Sequence, residues 1–197
     1  MSKIVFLDVD GTLIDYEAKL PASAAKAVDQ ARANGHKVYI CTGCSKAEIL
    51  QRNLCDLDGM IGGNGAYVED NGHVVMHQGL SKEDVKNIVD WCNERHIGFY
   101  LEANSGMYCN DYMLEQGPET MVKYAKGKGA SLENAKSSAQ HFIDGFIHLQ
   151  GDELYRDDVN KISFILRTYQ DHLDSKVDFP HLVANTWGGK GRSCIIW

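Results

Sequence analysis

Ile4-Val5-Phe6-Leu7-Asp8-Val9-Asp10-Gly11-Thr12-Leu13-Ile14 decides how the rest of the chain is read. An unbroken apolar run leads into an aspartate, the pattern of a strand buried on both faces of a parallel sheet. Strand alternation then places Asp8 and Asp10 on one side, and Gly11 turns the chain. In parallel sheets the C-terminal strand ends open into the crevice where ligands bind. Two neighbouring carboxylates raise each other's pKa unless a cation or a proton lies between them. A hard, oxygen-seeking ion such as Mg²⁺ answers that need. As a plain turn, Asp-Gly would need no chemistry at all.

Working outward, Pro21 to Asn34 is alanine-rich and predicts a helix closed by Gly35. Lys37 to Cys41 predicts a second strand, and Ser45 a cap for a helix running to Arg52. Strand, helix, strand, helix is the opening of a doubly wound α/β sheet. Thr42 and Gly43 lie just past the second strand, where a hydroxyl and backbone N–H groups suit phosphate oxygens. Gly59 to Ala66 reads as a short strand and a glycine-rich turn containing Asn64, and Asp70-Asn71-Gly72 as a hairpin turn.

The character changes near Gly79. Ser81 opens a helix to about Arg95, and strands follow at Ile97–Glu102 and Met107–Asn110. A polar helical stretch from Met113 to Lys136 is broken near Gly127–Gly129. Val159–Leu166 is a further strand, Tyr169–Asp174 a short helix, and His181–Trp187 a last strand. These boundaries predict a first module over residues 1–78, a second α/β module over 79–187, and a short tail over 188–197.

Composition narrows the function. In 197 residues, 44% hydrophobic and 24% charged side chains describe an ordinary globular chain. The net charge of −7 argues against a nucleic-acid surface, which is basic. No apolar run reaches the roughly 20 residues of a membrane helix, and Met1-Ser2-Lys3 leads straight into a strand, so a cytoplasmic location is expected. The six cysteines show no disulfide framework spacing. Cys41-Thr42-Gly43-Cys44 is a CxxC between a strand and a helix, the placement of a thiol oxidoreductase pair. The eight histidines are scattered, and Gly188-Gly189-Lys190-Gly191 lacks the spacing of a P-loop.

The apolar run followed by Asp-Val-Asp-Gly-Thr resembles motif I of the haloacid dehalogenase (HAD) superfamily, and Thr42 with Asn64-Gly65-Ala66 resembles its Cof-type branch. The resemblance implies a partial HAD-type, Rossmann-like parallel sheet core with an inserted α/β cap. It implies Mg²⁺-dependent hydrolysis of a small, sugar phosphate-like metabolite through an aspartyl-phosphate. Asp8 would be the nucleophile, Asp10 the general acid and base, and Thr42, Gly43 and Asn64 the phosphate-binding residues. Asp8 and the Asp10 backbone would hold the metal. Many relatives read Thr-Gly-Arg where this chain has Thr-Gly-Cys, so Cys44 removes a fixed cation. The motif III lysine and motif IV acidic pair are not found after the cap, and impaired turnover is expected. A non-catalytic phosphometabolite-binding protein is the competing reading. In such a core the first strand is central, so here it should carry one unpaired edge, open to a homodimer.

Overall fold

The computed structural model describes residues 1–15, 19–186 and, for the backbone, 193–196. The chain divides between Gln78 and Gly79 into two compact units.

In the first unit the sheet runs in the order β1 (Ile4–Leu7), β2 (Lys37–Cys41), β3 (Gly59–Gly62), β4 (Tyr67–Asp70), β5 (His73–His77). Strands β1, β2 and β3 are parallel, while β4 and β5 return antiparallel. Helix α1 (Ala22–Ala33) connects β1 to β2. It begins after Pro21, whose fixed φ suits a helix entry, and ends at Gly35 with φ +80°. Asn71 and Gly72, both at positive φ, make the tight turn between β4 and β5. Val9, Leu13, Ile14, Val28, Val38 and Ile40 form the centre of this unit's core.

β1 departs from the expected strand buried on both faces. Val5 and Leu7 pack against the core, but Ile4 is 60% and Phe6 55% exposed. Among the described residues β1 pairs with β2 alone and stands at the sheet edge. One face looks toward α1, and on the other the Phe6 and Tyr39 rings lie 5.7 Å apart between centroids.

The second unit holds a sheet ordered β10 (Ala184–Thr186), β11 (Ser193–Ile196), β9 (Val159–Ile165), β6 (Phe99–Ala103), β7 (Met107–Cys109), β8 (Ile147–His148). Helix layers cover both faces. Residues of α3 (Lys82–Glu94) join Phe99, Leu101 and Phe164 on one face. Met113 and Met121 of α4 (Asp111–Gly127) and Ala139 of α5 (Leu132–Asp144) join Tyr100 and Ile165 on the other. Helix α6 (Tyr169–Asp178) starts with a capping box between Thr168 and Asp171. The residues read as a separate tail behave differently. Ser193–Ile196 form a strand between β9 and β10, because that register satisfies backbone groups on both sides. Residues 187–192 and 197 of the expected last strand and tail lie outside the described residues. Among those described, no helix is long and apolar enough to cross a membrane.

Candidate functional site

The loop after β1 is built by its own backbone. Leu13 N–H donates to Asp8 O at 3.2 Å, Ile14 N–H to Val9 O at 3.0 Å, and Gly11 N–H to Ile14 O at 2.9 Å. Gly11 sits at φ +78°, where a Cβ would be strained. The turn folds Leu13 and Ile14 into the core and leaves Asp8 and Asp10 exposed. Thr12 Oγ1 donates to Asp8 Oδ2 at 3.3 Å.

The loop after β2 is fixed from below. Thr42 is 7% exposed; its N–H donates to Ile61 O on β3 at 2.9 Å, and its Oγ1 accepts from the Cys44 N–H at 3.1 Å. Ser45 caps the short helix α2 (Lys46–Leu50) by accepting from the Glu48 N–H. The loop after β3 closes onto the same place: Gly63 N–H donates to Cys44 O at 2.8 Å, and Asn64 N–H to Thr42 O at 3.4 Å. A Cβ on Gly43 would lie 2.8 Å from Asn64 Oδ1, so a larger residue there would push the Asn64 amide aside. Asn64 itself takes the left-handed conformation, φ 56°.

The first two loops meet through Asp10. Cys44 Sγ donates to Asp10 Oδ2 at 3.6 Å, and Arg52 Nη1 donates to Asp10 Oδ1. Arg52 Nη2 donates to Glu48 Oε1 at 2.5 Å and lies 3.5 Å from Cys44 Sγ. Asp10, Thr42, Gly43 and Asn64 are thus joined by direct contacts or one intervening residue, with Asp8 two residues before Asp10 on the same loop. Arg52 and Glu48 were not among the residues singled out in the sequence. Their i, i+4 spacing on the helix after Thr42 is a local signal; the reach from Arg52 to Asp10 is not.

Burial and the Glu48 carboxylate push the Cys44 thiol well above the usual thiol range, Arg52 notwithstanding. Cys41 and Cys44 are both free thiols. The metal pair expected from the sequence, Asp8 and Asp10, stands on one exposed loop. Among the described residues no group of three or more His, Cys, Asp or Glu could hold a metal ion, and Asp10 is already tied to a guanidinium.

A family model described as haloacid dehalogenase-like hydrolase matches residues 5–191. The chain belongs to the haloacid dehalogenase-like hydrolases. Among curated proteins of Bacillus subtilis (strain 168), this haloacid dehalogenase-like chain is 31% identical over 114 residues to 5-amino-6-(5-phospho-D-ribitylamino)uracil phosphatase YwtE. That alignment covers 57% of the chain and 37% of YwtE. It is 24% identical over 109 residues to phosphatase YwpJ, covering 54% of the chain and 38% of YwpJ. The matched stretches thus span well under half of these relatives. Among solved structures, a haloacid dehalogenase-like hydrolase from B. subtilis aligns with TM-score 0.76 at 20% identity, over 100% of this chain and 73% of that one. The HAD subclass IIB sugar phosphatase BT4131 aligns with TM-score 0.67 at 21% identity, over 100% of this chain and 70% of that one. These likenesses confirm the α/β fold.

Proposed function

We propose that the first unit carries a phosphomonoesterase site of the haloacid dehalogenase type and that residues 79–187 are its cap. The observation that carries the reading is the joining of three loops at the ends of parallel strands. Asp10, Thr42, Gly43 and Asn64 contact one another directly or through Cys44, beside an exposed Asp8. The similarity to the phosphatases YwtE and YwpJ supports it.

In this reading an Asp8 carboxylate oxygen attacks phosphorus and the P–O bond to the leaving group breaks. Protonated Asp10 gives its proton to the departing oxygen. Water then attacks the aspartyl-phosphate as Asp10 takes a proton from it, releasing inorganic phosphate and restoring Asp8. Thr12 orients Asp8 through its hydroxyl, and Thr42 with Gly43 lies where a phosphoryl group would be held. The substrate class is a small phosphorylated metabolite, sugar phosphate-like, with no nucleic-acid or membrane partner.

The test is release of inorganic phosphate from p-nitrophenyl phosphate and a panel of sugar phosphates, in buffer containing MgCl₂, by wild type and Asp8→Asn. Hydrolysis by the wild type that is absent from Asp8→Asn supports the reading. Equal rates remove Asp8 from the chemistry. Phosphate binding without turnover identifies instead a non-catalytic phosphometabolite-binding protein.

A further inference from the structure

Arg52 lies just past α2, its N–H bonded to Ile49 O at 3.0 Å. Its guanidinium spans two carboxylates, donating through Nη1 to Asp10 Oδ1 and through Nη2 to Glu48 Oε1. The two ends differ in environment. Glu48 is 13% exposed and Arg52 20%, whereas Asp10 is 56% exposed. Glu48 is therefore an anchor within the protein, while the Asp10 end is open to solvent. Nη2 also touches the Cys44 thiol at 3.5 Å. A guanidinium carried by residue 52 thus lies against the side chain of residue 44.

A phosphate monoester brings as many as two negative charges to a loop that already carries Asp8 and Asp10. Recognition of such a group calls for a fixed cation with several donors, and a guanidinium presents five N–H groups in a planar fork that matches phosphate oxygens. Lys46, also on α2, is committed elsewhere, to Glu69 and to the Tyr67 hydroxyl. We infer that Arg52 is the anion-recognising cation of this site, anchored by Glu48, donating to Asp10 in the free protein and to a phosphate oxygen when a phosphate group is bound. The inference rests on the function proposed above and deepens it. It assigns part of phosphate recognition to a residue outside both the Asp-Val-Asp-Gly-Thr and Thr-Gly-Cys stretches. Cys44 then acts as the small, uncharged neighbour that leaves room for Arg52.

Calorimetric titration of the full chain with inorganic phosphate tests it, using wild type, Arg52→Gln, Arg52→Lys, and Arg52→Gln combined with Cys44→Arg. Arg52→Gln is expected to weaken binding by about tenfold or more, Arg52→Lys by less, and Cys44→Arg to recover part of the loss. As a measurement independent of any variant's folding, saturating phosphate should slow phenylglyoxal modification of Arg52 in the wild type, read by peptide mass mapping. Wild-type binding that Arg52→Gln leaves unchanged, or a modification rate that phosphate leaves unchanged while it binds, overturns the role of Arg52 alone. No phosphate binding by the wild type overturns this role and the phosphate-site reading together.

Discussion

Lys161 and Glu102 are direct register partners on β9 and β6, and the Lys161 ammonium donates to Glu102 Oε1 with both side chains essentially buried. Ser163 Oγ donates to the same oxygen at 2.9 Å. The pair lies within strands that are buried along their whole length, so neither charge has water to fall back on. Removing one partner of such a pair costs more than removing both, because a lone charge is left in a low dielectric. Lys161→Met is expected to lower stability by about 3–5 kcal/mol. Glu102→Leu with Lys161→Met should be the milder change. Urea midpoints of the two proteins check the order, and a double variant less stable than the single one refutes it.

Gly59 poses a steric question rather than an electrostatic one. A Cβ there would lie 2.1 Å from the Glu69 carbonyl oxygen and 2.9 Å from the Tyr39 ring. The close approach belongs to the β3–β4 pairing, in which Gly59 faces Asp70. Gly59→Ala is expected to destabilise by about 1–3 kcal/mol, the range for forced overpacking. A thermal melt within error of wild type would show that the strands move apart at little cost.

Cysteine reactivity separates the thiol-enzyme reading from the phosphatase reading. Cys41 is exposed, whereas the Cys44 thiol is raised by burial first and by Glu48 next. A raised thiol pKa means less thiolate at any given pH, so the sign favours Cys41. At pH 8 iodoacetamide should modify the exposed Cys41 well ahead of Cys44. Peptide mapping by mass spectrometry checks this. Faster modification of Cys44, or a reversible Cys41–Cys44 disulfide, would revive the oxidoreductase.

What the sequence made legible follows the range of each interaction. The helix after Pro21, the Asn71-Gly72 turn and the Ser81 cap are written in neighbouring residues, and they stand where those residues place them. The break near Gly127–Gly129 is real, with Gly129 at φ +96°. Ser193–Ile196 went unread as a strand because its partners, β9 and β10, are specified by long-range pairing that no local pattern announces. The same holds for Arg52, which meets Asp10 across 42 residues of sequence. The exposure of Ile4 and Phe6 was misread for a different reason. An apolar run reports that a strand is suited to burial, and not whether a second layer covers it.

That uncovered strand leads to a prediction about assembly. Among the described residues β1 pairs only with β2, so its outer edge presents backbone N–H and C=O groups without strand partners. Beside it, between β1 and α1, runs an apolar groove of about 290 Å³ lined by residues including Val5, Leu7, Leu13, Ala24 and Val28. Ile4 and Phe6 add exposed apolar surface on the opposite face. Natural edge strands are blunted by charge, proline or a bulge, and β1 itself, Ile-Val-Phe-Leu, contains none of these. A second copy can pair edge to edge about a two-fold axis, β1 antiparallel to β1, satisfying both sets of backbone groups. A dimer is therefore expected at micromolar concentration. Phe6→Lys should shift it to monomer, since two like charges on the same face of the paired strands repel one another. Sedimentation velocity measures the state, and hydrogen exchange at Val5–Leu7 reports the edge directly. Monomer throughout, with those amides exchanging freely, would leave β1 an open edge and remove the dimer.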